Sequence, residues 1–286
     1  MFIIFPNFLL DIISTIKVNI KDFKMYNILV TNDDGYEARG LLSLVEALRE
    51  IDDVKVTVVA PANEKSACGH SLTLTRPLRF VSVGDDFYKL EDGTPTDCVY
   101  LSLSALFEDA KPDLLVSGIN RGSNMGEDIT YSGTAAGAME GVLHDIPSIA
   151  ISQVMDFTDP DGDFTLAKET IKKLVIKIKN GSFPLPDREF LNVNIPQKSD
   201  KTKDAKLQVT YVGYRHYAND SHLHRNPRGE EFYWLGLHPL NFSPRLHVEN
   251  GVSDYEAIKA GNISITPIML DLSAYKSMNK LKEWIE

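Results

Sequence analysis

The feature that most constrains this chain is a series of short, uninterrupted apolar runs, each ending in a loop of small and polar residues. Residues 27–31 (NILVT), 54–60 (VKVTVVA), 113–117 (DLLVS) and 148–152 (SIAIS) have strand length and flanking turn residues. Strands that are apolar on both faces must be covered on both faces. Between the first two runs, Leu41, Leu42, Leu44, Val45 and Leu48 recur at helical spacing. The unit reads strand–helix–strand and predicts an α/β fold with a mostly parallel sheet flanked by helices.

The same reading extends along the chain. Residues 71–75 and 79–83 alternate around Pro77 and are expected to pair as a hairpin. Helices are expected over 96–107, 134–143 (rich in small residues) and 164–179, with a strand over 190–195. Residues 207–217 and 231–237 are strand-like and joined by a polar segment containing Asn226-Pro-Arg-Gly229, which predicts a projecting β-hairpin. A late strand over 263–268 and a terminal helix over 273–285 follow. Residues 1–24 are apolar but interrupted by Pro6, Asn7 and Asp11, and resemble neither a membrane span nor a cleavable signal. They are expected to lie outside a single domain covering 25–286, with Met25 as an alternative start.

Charge and cysteine content narrow the function. Lys and Arg number 30 against 40 Asp and Glu, a net charge of −10. This disfavours a nucleic-acid polymer as partner. Cys68 and Cys98 are too few for a disulfide framework or a Cys-rich zinc module and read as small core residues in a reducing compartment. With no targeting segment and no membrane span, the expected location is cytoplasmic.

Three loops, each placed after a predicted parallel strand or its neighbour, carry chemistry. Ligands bind outside the carboxyl ends of such strands, so loops distant in sequence can converge. The first loop is Asn32-Asp33-Asp34-Gly35. Adjacent carboxylates repel unless a cation sits between them, and Mg²⁺, Mn²⁺ or Ca²⁺ would serve; the same residues are also good turn and helix-cap chemistry. The second loop runs from Pro61 to His70 and offers the Ser66 hydroxyl. No G-x-S-x-G surrounds Ser66, so it suits a neutral ligand to a metal better than a nucleophile. His70 reads as a substrate contact or as a packed or surface residue. The third loop contains Ser117-Gly-Ile-Asn120-Arg-Gly-Ser-Asn124-Met-Gly126 and then Tyr131-Ser132-Gly133-Thr134. Its glycines and the helix it opens suit an anion, and Asn120 offers a neutral oxygen to a metal. A glycine-rich turn with a helix cap is the bland alternative. The Rossmann and Walker glycine motifs are absent.

Taken together, ILVTNDDG, EKSACGHS, GTPTDCV, VSGINRGSNMG, YSGTAAGAMEG and IPSIAIS closely resemble the SurE (survival protein E) family of metal-dependent nucleotidases. GYRHY, NPRGEEFYWLG and AIKAGNISITP extend the resemblance from about Asn27 to about Pro267. Residues 1–24 have no counterpart, and Asn262 stands where an aromatic residue is common. The resemblance implies a Rossmann-like α/β fold with a projecting hairpin (about 207–237) and a C-terminal segment (about 250–286) exchanged between subunits of a homodimer or homotetramer. It implies one divalent cation, Mg²⁺ or Mn²⁺, held by Asp33, Asp34, Ser66 and Asn120. It places phosphate at Asn32, Asn124, Ser132, Gly133 and Thr134.

The implied activity is hydrolysis of nucleoside 5′- (and 3′-) monophosphates to nucleoside and phosphate, a phosphoric monoester hydrolase reaction with water as nucleophile and no general base assigned. The other readings are a broad phosphatase acting also on short polyphosphate, and a nucleotide-binding protein without turnover.

Overall fold

The apolar run after Met25 forms β1 (Tyr26–Thr31), an interior strand of a nine-stranded sheet in the computed structural model. The structure describes residues 25–155, 162–218, 220–236, 239–245 and 251–286, so the expectation about residues 1–24 falls outside it. From β1 the chain passes through α1 (Arg39–Arg49) to β2 (Val54–Pro61), then the pair β3 (Arg79–Gly84) and β4 (Phe87–Glu91). Next come α2 (Pro95–Ala105), β5 (Leu114–Arg121), α3 (Gly133–Leu143), β6 (Ser148–Gln153), α4 (Thr165–Lys179), β7 (Glu189–Ile195) and β8 (Leu207–Val209). The strands β9 (Tyr214–Tyr217), β10 (Asp220–Arg225), β11 (Glu231–Gly236) and β12 (Pro239–Ser243) form the projecting part. The chain ends with α5 (Asp254–Lys259), β13 (Ile263–Met269) and α6 (Met278–Ile285).

The sheet order is β3-β4-β2-β1-β5-β6-β7-β13-β8, and only the β3–β4 and β7–β13 pairs are antiparallel. Alternation along β1 explains the two layers. Ile28 and Val30 pack with Leu41, Leu44 and Leu48 of α1 and Ile171 and Val175 of α4. Leu29 points the other way, into Cys98 and Val99 of α2. Leu42, included in the apolar series, lies on the outer face of α1 and is exposed. The small residues of α3 have a packing reason: a Cβ on Gly137 would stand 2.8 Å from Ser117 Oγ and 2.9 Å from Thr31 Cγ2.

Three expectations need correction. Residues 71–75 form no strand; the Thr73 N–H is held by the Asp97 carboxylate and the Ser71 carbonyl by the Thr94 hydroxyl, at the start of α2. The hairpin there pairs β3 with β4, turning at Asp85 and Asp86, where Asp86 has a positive φ of 50°. The stretch 207–217 is divided: β8 joins the main sheet beside β13, β9 pairs with β12, and the hairpin itself is β10–β11. The terminal helix is shorter than 273–285, with a 3₁₀ turn over Tyr275–Ser277 before α6.

Candidate active site

The chain leaves β1 toward β2 on one side, while β5 flanks β1 on the other. A crevice therefore opens at their carboxyl ends, where the strand order reverses. Asn32 is fully buried, and its amide nitrogen donates to the Gly35 carbonyl at 2.9 Å, closing the first turn. Its amide oxygen has no hydrogen-bond partner among the described residues.

The two aspartates join the other loops to this turn. The Asp33 carbonyl accepts from the Lys65 N–H at 2.7 Å, which fixes the second loop. The Asp33 carboxylate accepts from the Thr134 hydroxyl at 2.5 Å, which fixes the start of α3. The Asp34 carboxylate accepts from the Arg121 N–H at 3.0 Å, at the end of β5. The second and third loops also meet directly, Gly69 N–H to the Tyr131 carbonyl at 2.9 Å.

Ser132 caps α3 by accepting from the Ala135 N–H at 2.9 Å. The helix start lies so close to the first turn that a Cβ on Gly133 would stand 2.7 Å from Asp33 Cβ and 2.9 Å from Asp33 Oδ2. The helix N-terminus thus faces a carboxylate of the protein itself, and the N–H groups of Gly133 and Thr134 favour its ionised form. Burial outweighs them and pushes the Asp33 carboxyl up. Burial and then the charge of Asp33 push Asp34 up to about 7, against the Arg121 N–H that lowers it. Two such neighbours ionise together only at a cost, which a divalent cation removes.

The remaining donors suit that cation. The Ser66 proton is committed to the Glu64 carboxylate at 2.8 Å, leaving the hydroxyl lone pairs free to coordinate. The Asn120 amide nitrogen donates to the Gly122 carbonyl at 3.0 Å, leaving its oxygen as the acceptor. Two carboxylates and two neutral oxygens are the donor types a hard cation takes. Among the described residues no group of three or more His, Cys, Asp and Glu side chains is placed to hold a metal.

Asp33, Ser66, Asn120, Asn124 and Ser132 share one cleft of about 840 Å³. Asn124 is buried in a polar network: its N–H donates to Asn194, its amide nitrogen to the Ser152 hydroxyl, and its carbonyl accepts from Asn192 and Asn194. Asp34, Asn32, Gly133 and Thr134 are not on the cleft wall; Asn32 braces the turn and Thr134 braces Asp33. His70 is a surface residue whose ring bonds the buried Glu140 of α3 at 2.7 Å. Cys68 and Cys98 are both free thiols.

The wall also includes Arg121, Asp128, Tyr131, Tyr217, Ser221 and Leu235, to which the sequence alone assigns no role. Tyr131 and Asp128 precede α3 within the third loop, so their proximity is a usable signal. Tyr217, Ser221 and Leu235 reach the cleft only through the projecting strands, which no local spacing announces.

Known proteins resemble this chain in sequence and in fold. The family model for survival protein SurE matches residues 28–219. A protein of Sulfurimonas denitrificans named 5′-nucleotidase SurE is 79% identical over 263 residues, covering 91% of this chain and 99% of its own. One of the same name from Helicobacter hepaticus is 57% identical, covering 92% and 100%. The crystal structure of SurE protein from Aquifex aeolicus superposes with a TM-score of 0.75 at 41% identity, covering 91% of this chain and 100% of that one. With the family model matching two-thirds of its sequence and a relative 79% identical over 91% of it, this chain belongs to the survival protein SurE family.

Proposed function

We propose that this chain is a divalent-metal-dependent nucleotidase, hydrolysing nucleoside 5′-monophosphates to nucleoside and phosphate. The observation that carries the reading is the junction of three strand-end loops through Asp33 and Asp34, with Ser66, Asn120, Asn124 and Ser132 around one cleft. The names of the relatives, 5′-nucleotidase SurE, support the same chemistry.

Asp33, Asp34, Ser66 and Asn120 would hold the cation. A bound Mg²⁺ or Mn²⁺ would supply positive charge for the phosphoryl group and lower the pKa of a water. Thr134 and the start of α3 keep Asp33 aimed. Ser132 and Asn124 border the same space and orient the phosphate; the Asn192–Asn194 network fixes Asn124 in turn.

The proposal includes a homodimer or homotetramer. Two elements expose consecutive or helically spaced large apolar residues: Phe232, Tyr233, Trp234 and Leu235 on β11, and Met278, Leu281, Trp284 and Ile285 on α6. Surfaces of this kind favour a protein partner. A cytoplasmic location is part of the proposal and is supported by the two free thiols. Among the described residues no helix is long and apolar enough to cross a membrane.

The test is phosphate release from a panel of nucleotides, first with chelator and then with Mg²⁺ or Mn²⁺ restored. Release that stops and returns supports the reading. Release indifferent to exhaustive chelation, with metal removal verified by elemental analysis, refutes the metal role. Turnover of polyphosphate above every nucleotide refutes the nucleotidase assignment.

A further inference from the structure

Behind the third loop, the short helix α5 carries an acidic residue that its own helix does not need. Ser253 caps α5 by accepting from the Glu256 N–H, and the Glu256 carboxylate accepts in return from the Ser253 N–H. The cap is complete without Asp254, which is nevertheless fully buried. A buried carboxylate is costly unless hydrogen bonds hold it. Both of its oxygens accept from backbone N–H groups: one from Gly126 at 2.8 Å, the other from Gly213 at 3.0 Å and from Tyr255 at 2.9 Å. Burial pushes the Asp254 carboxyl up, and these same N–H groups oppose the rise.

The bond to Gly126 is matched by a second one. The Tyr255 hydroxyl donates to the Met125 carbonyl at 3.0 Å. The Met125 carbonyl and the Gly126 N–H belong to one planar peptide unit. Adjacent residues of α5 therefore hold that unit at both its polar groups and fix its plane. Gly126 has a φ of 58°, and a Cβ there would stand 2.6 Å from the Tyr255 hydroxyl, so this grip also needs a glycine. The unit lies between Asn124 and the turn Gly126–Thr130 that leads to Ser132, the two residues assigned to the phosphate. Asn124 is held on its other side by Ser152, Asn192 and Asn194.

We propose that Asp254 is a positioning residue for the phosphate: acting with Tyr255 through the Met125–Gly126 peptide, it sets where Asn124 and Ser132 stand in the cleft. The inference rests on the nucleotidase reading and adds to it a residue that does not line the cleft.

The experiment titrates Asp254→Asn by calorimetry with inorganic phosphate in saturating Mg²⁺ and, separately, with Mn²⁺. The substitution keeps the volume but turns an amide NH₂ against backbone N–H groups. The Kd for phosphate is expected to rise about tenfold, as loss of a hydrogen bond to a charged group does. Mn²⁺ affinity should be unchanged, because Asp33 and Asp34 are held by other bonds. Tyr255→Phe frees the Met125 carbonyl and should weaken phosphate in the same way. The double variant should lose less than the product of the two single effects, since both act on one peptide. Ser253→Ala is the control: it removes the α5 cap and should lower the melting temperature with phosphate affinity unchanged. An unchanged phosphate Kd in Asp254→Asn, an equal loss of Mn²⁺ affinity, or the same phosphate loss in Ser253→Ala overturns the positioning role. Where Asp254→Asn does not fold, Tyr255→Phe decides by the same readings. An unmodified chain that turns over other phosphomonoesters and no nucleotide refutes the nucleotidase reading, while the phosphate titrations still decide the role of Asp254; an unmodified chain that binds no phosphate overturns both.

Discussion

Gly133→Ala tests whether the start of α3 sets the geometry of the proposed metal site. The added methyl would stand 2.7 Å from Asp33 Cβ and 2.9 Å from Asp33 Oδ2, closer than Cβ atoms come to such groups in folded proteins. Asp33 cannot swing aside freely, because its carboxylate is tied to Thr134 and its carbonyl to Lys65. Overpacking of this size costs about 1–3 kcal/mol of stability. At roughly 2–4 °C per kcal/mol, the melting temperature should fall by several degrees. Stability alone does not distinguish a site residue from a packing residue, so Gly137→Ala is the control. Its methyl would meet Ser117 Oγ at 2.8 Å and Thr31 Cγ2 at 2.9 Å, a comparable clash one helical turn away from the carboxylate. Both variants should melt earlier, but only Gly133→Ala should lose Mn²⁺ affinity by calorimetry and lose about a hundredfold in turnover, as displaced catalytic groups do. Equal Mn²⁺ affinity in the two variants would refute the reasoning that the α3 terminus positions Asp33.

Three further outcomes follow from the same geometry. Asp33→Asn and Asp34→Asn should each abolish metal binding and turnover while the circular dichroism spectrum stays native; turnover near the unmodified level in either metal-saturated variant removes that residue from the ligand set. Glu140 is buried, which by itself raises its pKa, yet hydrogen bonds and charge from His70 and His144 hold it below the usual glutamate range. A lowered folded pKa means stability that is present above the unfolded pKa of ~4.3 and lost as pH falls through the folded value. Glu140→Gln should therefore cost about 1–3 kcal/mol in denaturant titrations at neutral pH, and the gap to the unmodified chain should close below pH ~4; a gap that widens on acidification contradicts the assignment. Trp234→Glu, on the exposed β11, should lower the mass seen by light scattering if that hairpin joins subunits, and an unchanged mass places the contact elsewhere.

The parts of this fold legible in the sequence are those that depend on neighbours close in the chain. β1, β2, β5 and β6 are visible because strands buried on both faces have little freedom of composition. The β3–β4 hairpin is misplaced by sequence pattern for the converse reason. Alternation over 71–75 looks like a strand, but its backbone groups are satisfied by the Asp97 and Thr94 side chains rather than by a ladder. The usable sign is Asp85-Asp86, since aspartate tolerates the positive φ a tight turn needs. The divided stretch 207–217 misleads similarly: its period of two is real, but its partners, β13 and β12, lie beyond any local window.

The candidate site divides along the same line. Its charged end needs special residue types: paired carboxylates, a hydroxyl, amides on glycine-rich turns. These are rare enough in combination to stand out from the sequence alone. Its other end uses Tyr131, Tyr217, Leu235 and an aspartate, residues that occur everywhere for other reasons. What makes them a wall is a bond between Tyr217 and Asp128 across 89 positions, carried by the strands that leave the main sheet. The carboxylate and amide part of the wall is thus legible in composition, while the rest of the wall is legible only in topology. A swap of 126–131 together with 214–236 between two relatives should therefore change the order of kcat/KM among substrates while metal dependence stays the same, and an unchanged order would remove the projecting strands from substrate contact.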